Sequence, residues 1–226
     1  MKKTGAHIFI ESLKAEGVET IFCYPGGATL NITDALTYSD LQQIVVRHEQ
    51  AAVHASDGYA RASGKVGVSI VTSGPGATNT VTGIATAYMD SIPLIIFSCQ
   101  VNTTLIGNDA FQEADITGIT RPITKYNCIV KDVGELARTI KEAFYIASTG
   151  RPGPVLVDVP VDVEIAKYQT NGAEEMKLPG YKIRTEGHLR QISMAAQAIN
   201  NSKISPTLPI KAHSLISLSP RGRGAG

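Results

Sequence analysis

The strongest constraint on this chain is the order in which two periodicities alternate. Short β-branched or apolar runs, VETIFCYP (18–25), LQQIVVRH (41–48), KVGVSIVTS (65–73), IPLIIFSC (92–99), YNCIVKD (126–132) and GPVLVDVPVDV (153–163), are separated by segments with a helical period. From Thr4 to Glu16, Ile8, Phe9 and Leu13 share one helical face, and Gly17 is placed to end that helix. Further helices are predicted over Leu30–Leu36, over the alanine-rich 49–63 stopped by Gly64, and over 74–91 and 133–149. Runs as continuously apolar as KVGVSIVTS suit strands covered on both faces. The order predicts an α/β fold: a doubly wound parallel sheet with helices on both faces, its ligand sites at the carboxyl ends of the strands.

Residues 1–168 carry this pattern. QTNGAEEMKLPGYKIRT (169–185) is polar, holds Gly and Pro, and reads as a linker. EGHLRQISMAAQAINNSK (186–203) opens a new amphipathic helix, the start of a second, truncated domain. The remainder, 204–226, has three prolines and a basic Gly-rich end, and is expected to be disordered or foreign to the fold. With 21 Lys and Arg against 20 Asp and Glu, the net charge of +1 offers no broad basic face, so nucleic acid is not an expected partner. The N-terminus shows neither a signal-peptide core nor a membrane span, which leads to the expectation of a cytoplasmic protein. Cys23, Cys99 and Cys128 are odd in number and lack CxxC spacing, so buried thiols are expected rather than disulfides or a zinc site. His48 and His54 lie six apart, not in HExxH spacing, and no metal site is expected from them.

Two strand-to-helix turns stand out, Tyr24-Pro25-Gly26-Gly27 and Ser73-Gly74-Pro75-Gly76. Each has two readings. Bare backbone amides at the edge of a sheet let a ligand approach closely, whereas a tight turn uses glycine merely to reach positive φ. Neither turn matches GxGxxG or GxxxxGK[ST], which disfavours NAD and P-loop nucleotides. Glu49 opens the alanine-rich helix after the second strand. It is either a negative charge favoured by the helix dipole or a functional acid held at the ligand edge. Asp57-Gly58 reads as an exposed helical turn.

Taken together, YPGG (24–27), RHEQAAVHASDGYARASG (47–64), TSGPGATN (72–79) and DAFQEAD (109–115), in this order, resemble the N-terminal pyrimidine-binding domain of thiamine-diphosphate enzymes. Among these the resemblance is to the large catalytic subunit of acetolactate synthase (acetohydroxyacid synthase), over about residues 4–168. It implies thiamine-diphosphate-dependent decarboxylation of pyruvate and carboligation to a second 2-oxo acid, pyruvate or 2-oxobutyrate, in the synthesis of valine, leucine and isoleucine. Glu49 is then the catalytic carboxyl hydrogen-bonded to the aminopyrimidine ring of the cofactor. Tyr24, Pro25, Gly26, Gly27, Pro75, Asn79 and Gln112 are implied as cofactor-binding, with Ala28 and Phe111 in the substrate pocket. The resemblance also implies Mg²⁺, its ligands in a C-terminal domain not seen here, and a structural FAD near Phe111 and Gln112. A homodimer or tetramer and a regulatory small subunit are implied as partners.

Several positions depart from the family's pattern. Cys23 and Cys99 stand where the family usually has glycine, and a Cβ there clashes if the backbone has positive φ or makes a close approach. Asn102 replaces a proline at the mouth of the substrate channel, and Val161 a lysine that reaches toward it. No GDG motif for the diphosphate is found, so the chain is expected to supply only half of a site and to be inactive alone. A second reading makes it a catalytically incomplete pyrimidine-type domain that acts in dimerisation or partner binding. A third, another thiamine-diphosphate carboligase or decarboxylase, is disfavoured by DAFQEAD.

Overall fold

The computed structural model describes residues 2–169, 175–183 and 185–202. The elements run β1 (Lys3–Thr4), α1 (Gly5–Ala15), β2 (Thr20–Tyr24), α2 (Leu30–Thr37), β3 (Gln42–Val45), α3 (Glu49–Ser63), β4 (Gly67–Val71), α4 (Pro75–Thr78), α5 (Val81–Asp90) and β5 (Leu94–Gln100). They continue through α6 (Ile116–Thr120), β6 (Tyr126–Ile129), α7 (Val133–Ser148), β7 (Val155–Pro160), α8 (Val161–Ile165), β8 (Lys167–Tyr168) and α9 (Leu189–Asn200). Six strands form one sheet in the order β3-β2-β4-β5-β7-β6, every pairing parallel. Contacts separate Met1–Gly180 from a second unit beginning at Tyr181, whose described regular element is α9. The sequence reading of 204–226 lies outside the described residues.

Strand alternation sends side chains to two apolar layers, as the near-continuous runs predict. On one face Ile95, Phe97, Cys99, Val155, Val157 and Val159 pack with Ile8, Phe9 and Leu13 of α1 and Leu136 and Ile140 of α7. Phe9 and Phe97 meet edge to face with ring centroids 4.6 Å apart. On the other face Leu94, Ile96 and Leu156 meet Val53 and Ala60 of α3, Ile84 and Ala87 of α5, and Ile116 of α6. Most of these side chains are fully buried, each contributing about 1.5–3 kcal/mol of transfer free energy.

The predicted helix over 74–91 is two helices. Thr78 and Thr80 turn their hydroxyls back onto the carbonyls of Pro75 and Ala77, at 3.1 and 2.6 Å, and compete with the helical ladder where α4 gives way to α5. The final strand ends at Pro160, sooner than expected, because Val161 already opens α8. Asp162 in that helix accepts from Thr103 N–H at 3.0 Å and Thr103 Oγ at 2.5 Å, tying α8 to the loop after β5. The short antiparallel pair of β1 with β8 has no counterpart in the sequence reading.

Two further expectations are corrected. Asp57 is buried rather than exposed and pairs with Arg61, which also reaches Asp90 at 2.6 Å. Cys128 is half-buried, whereas Cys23 and Cys99 are buried as expected. The condition for a clash at Cys23 and Cys99 does not arise. Both lie within strands, neither has positive φ, and both side chains belong to the apolar layer against α1.

Candidate active site at the strand switch point

After β3 the chain returns past β2 to place β4 on its other side. A reversal of strand order leaves a crevice beyond the carboxyl ends of the strands that flank it. The two glycine-rich turns follow those two strands: Tyr24 pairs with Val71 at the last rung of the ladder, and each strand then runs into its turn. Glu49 comes from the neighbouring β3 and occupies the first position of α3. The N-cap of α3 is His48, whose Nδ1 accepts the Gln50 N–H at 3.1 Å.

Glu49 is buried, 6% exposed. Its Oε2 accepts a hydrogen bond from Asn79 Nδ2 at 2.9 Å. Its Oε1 accepts none from another described residue and borders Gly76, where a Cβ would stand 3.1 Å from it. The structure thus brings Glu49, Asn79 and Gly76 together. Pro75 occupies the first position of α4 beside them.

The glycines of the two turns divide between the two readings. Gly74 alone has positive φ, +54°, and its α-carbon faces the main chain of Gln112 so closely that a Cβ would collide with the Gln112 carbonyl. There the turn itself requires glycine. Gly26 and Gly76 have ordinary φ but crowd Thr72: its Cβ would lie 2.6 Å from a side-chain carbon at Gly26, and its Cγ2 2.6 Å from one at Gly76. Gly27 has neither constraint: its φ is not positive, and a Cβ would meet nothing within 4 Å. Only at Gly27 does the fold leave glycine's presence unexplained.

The loop 107–113 brings Gln112 to the second turn. Glu113 closes it by accepting the N–H groups of Gly107 and Ala110, contacts that hold its carboxyl below the ordinary range. Asp109 and Gln112 are both held at positive φ, 51° and 57°. Phe111 is 86% exposed. Tyr24 and Gly27 are exposed, and Pro25 and Ala28 half-buried. Asn102 caps the turn Thr103–Leu105, its Oδ1 accepting the Thr104 N–H at 3.2 Å, and Val161 begins α8.

Sequence reasoning missed three polar features. Thr72 lies between the two turns and accepts the Ala28 N–H at 3.3 Å; its place at the end of a strand inside TSGPGATN was the available signal. Asp158 receives Ser98 Oγ at 2.6 Å and Gln100 Nε2 at 3.0 Å. Burial pushes its carboxyl up to about 7 against those two donors; polar residues at partner positions within two apolar strands were the signal. Glu164 meets Asn31 from 133 residues away, which no local pattern announces.

A switch-point crevice with two bare turns and one carboxyl oxygen left open can take the edge of a flat heteroaromatic ring. The described residues contain no group of three or more His, Cys, Asp or Glu side chains able to hold a metal ion, so Mg²⁺ has no ligand set among them. No described helix is long and apolar enough to cross a membrane.

The chain belongs to the thiamine pyrophosphate enzymes: residues 3–119 match the family's N-terminal TPP binding domain. It is 54% identical to the acetolactate synthase large subunit of Haemophilus influenzae over 88% of this chain and 35% of that protein. It is 56% identical to the probable acetolactate synthase large subunit of Methanocaldococcus jannaschii over 88% of this chain and 34% of that protein. With the chloroplastic acetolactate synthase of Arabidopsis thaliana the identity is 48% over 98% of this chain and 33% of that protein. The chain spans about a third of the length of the curated relatives it matches.

Proposed function

We propose that this chain supplies the pyrimidine-binding half of the active site of an acetolactate synthase large subunit. The reaction is thiamine-diphosphate-dependent decarboxylation of pyruvate and transfer of the two-carbon unit to a second 2-oxo acid, pyruvate or 2-oxobutyrate, toward branched-chain amino acids. The observation that carries the reading is the half-satisfied carboxyl of Glu49, one oxygen clamped by Asn79 and the other open beside Gly76 at the switch point.

Bound thiamine diphosphate supplies a nucleophilic carbon, made reactive by its own aminopyrimidine. Glu49 holds a proton at Oε1 against that ring, while the Asn79 amide fixes the carboxyl's rotation through Oε2. Tyr24, Pro25, Gly26 and Gly27 with Pro75 line the cleft. Gly27 admits the substrate, because a Cβ there would meet nothing within 4 Å, and Ala28 stands beside it in the substrate pocket. From the loop 107–113, Gln112 bounds the pocket and the exposed Phe111 would meet substrate and a structural FAD.

Mg²⁺ and the diphosphate are held by a further domain, and the site is completed across a homodimer or tetramer that also takes a regulatory small subunit, in the cytoplasm. Residues 169–185 link to that architecture, and 186–203 begin its next domain. The second reading, a domain without chemistry, lacks an observation of its own, since an open carboxyl oxygen at the switch point has no role in dimerisation alone.

The test joins this chain in frame to the C-terminal two thirds of the Haemophilus influenzae large subunit. That fusion is expected to form acetolactate from pyruvate, whereas the 226-residue chain alone is not. Glu49→Gln in the fusion is expected to slow hydrogen exchange at the reactive carbon of the bound cofactor by about 100-fold or more. Unchanged exchange removes Glu49 from the reaction.

A further inference from the structure

The two glycine-rich turns are spaced by one side chain. Thr72 follows β4 and is nearly buried, 9% exposed. Its Cβ lies 2.6 Å from where a side-chain carbon at Gly26 would stand, and its Cγ2 2.6 Å from the same point at Gly76. One branched side chain therefore fills the space that both glycines vacate. Its Oγ1 accepts the Ala28 N–H at 3.3 Å, its one hydrogen bond with another described residue. The first turn is otherwise closed upon itself: Gly26 N–H donates to Thr29 Oγ1 at 2.8 Å, and that hydroxyl donates to Gly26 O at 2.9 Å. Beyond the strand ladder, no other hydrogen bond among the described residues joins the first turn to the second, and Gly76 of the second turn borders Glu49 Oε1.

We propose that Thr72 is a positioning residue: seated between the turn after β2 and the turn after β4, its hydroxyl orients the Ala28 amide. Main chain 26–28 is thereby presented at a fixed place relative to Glu49. The inference rests on the reading of these turns as half of a thiamine-diphosphate site. Two substitutions separate the two parts of the side chain. Thr72→Val keeps the branch but leaves the Ala28 N–H without its acceptor and sets a methyl group against the amide. Thr72→Ser keeps the acceptor and removes the methyl group that touches Gly76.

In the 226-residue chain, amide hydrogen exchange at Ala28 is expected to rise about fivefold in Thr72→Val and to stay within twofold in Thr72→Ser. In the fusion described above, Thr72→Val is expected to raise the KM for pyruvate about fivefold while exchange at the reactive carbon of the cofactor stays within twofold, and Thr72→Ser to restore the KM. A structural defect alone would not divide these two quantities. Unchanged Ala28 exchange in Thr72→Val overturns the proposal, as does a Thr72→Val fusion with unaltered KM. So does a Thr72→Val fusion that loses cofactor exchange as deeply as Glu49→Gln, since that places the threonine in the acid apparatus. Failure of the underlying reading is distinct: Glu49→Gln then leaves cofactor exchange unchanged, and Ala28 exchange still decides whether Thr72 holds the turn.

Discussion

Glu164 offers the most quantitative test of how this domain is held together. It lies on α8, is 1% exposed, and accepts one hydrogen bond, from Asn31 Nδ2 to Oε2 at 3.1 Å. Oε1 is sealed from water with no hydrogen-bond partner among the described residues. Burial pushes the carboxyl up from 4.5 to about 7, against the opposing pull of Asn31 and then of the Cys99 thiol. The folded protein therefore binds this proton more tightly than the unfolded chain does. The stability it lends is complete below pH 4.5, declines as the pH rises, and is gone once the pH passes about 7. A shift of this size corresponds to about 3 kcal/mol. Glu164→Gln keeps the shape and carries the same kind of donor into the sealed corner as the protonated acid, without a charge to bury at high pH. Urea unfolding of the full chain, followed by circular dichroism from pH 5 to 8, should show the two proteins within about 1 kcal/mol at pH 5 and the variant about 3 kcal/mol more stable at pH 8. Asp158, also raised to about 7, acts equally in both proteins, so the difference between the two curves isolates Glu164. Parallel curves would refute the reasoning.

The glycines yield two more predictions. Gly26→Ala should destabilise the domain by about 1–3 kcal/mol in urea unfolding, because its Cβ meets Thr72 at 2.6 Å. Gly27→Ala should change stability by less than about 0.5 kcal/mol yet lower kcat/KM of the fusion at least about tenfold; equal losses of stability at both positions would contradict the division drawn between them. Gly74→Ala, with φ +54° and the Gln112 carbonyl in the way, should cost at least about 2 kcal/mol and displace the loop 107–113, read as amide chemical-shift changes at Gly107 and Glu113.

How much of this was legible in the sequence varies with the range of the interaction. The alternation of β-branched runs with helical segments is local, and it located all six strands of the parallel sheet: β4, β5 and β7 are buried on both faces, and the more exposed edge strands β3 and β6 still carry β-branched runs bounded by helical segments. The break between α4 and α5 was not legible: threonine hydroxyls bonding back to carbonyls do not disturb an apolar period. Nor was α8, which a run of valines disguises as more strand. The turns and Glu49 were legible as motifs. Why each glycine is there was not, since that depends on Thr72 from one strand and Gln112 from a distant loop. The cysteines show the converse error, in which a side chain where the family has glycine suggested strain that an extended strand facing a core does not impose.

Partner accounting separates four of the five buried carboxyls in a way that no motif does; the fifth, Glu142, is paired with Arg138 and accepts the Lys177 N–H. Asp158 has both oxygens engaged, by Ser98 and Gln100, and closes a polar bridge between β5 and β7. Glu164 has one oxygen held by Asn31 and the other enclosed without a partner, so it stores a penalty rather than offering a site. Asp57 is committed to Arg61 along one face of α3. Glu49 differs from all three, because its second oxygen is neither bonded to another described residue nor sealed from solvent. A carboxyl brought to 6% exposure, fixed by one amide and left with one usable oxygen, is arranged for a partner from outside the fold. Its place beyond the ends of β2 and β4 is where a parallel sheet of this order leaves room for one.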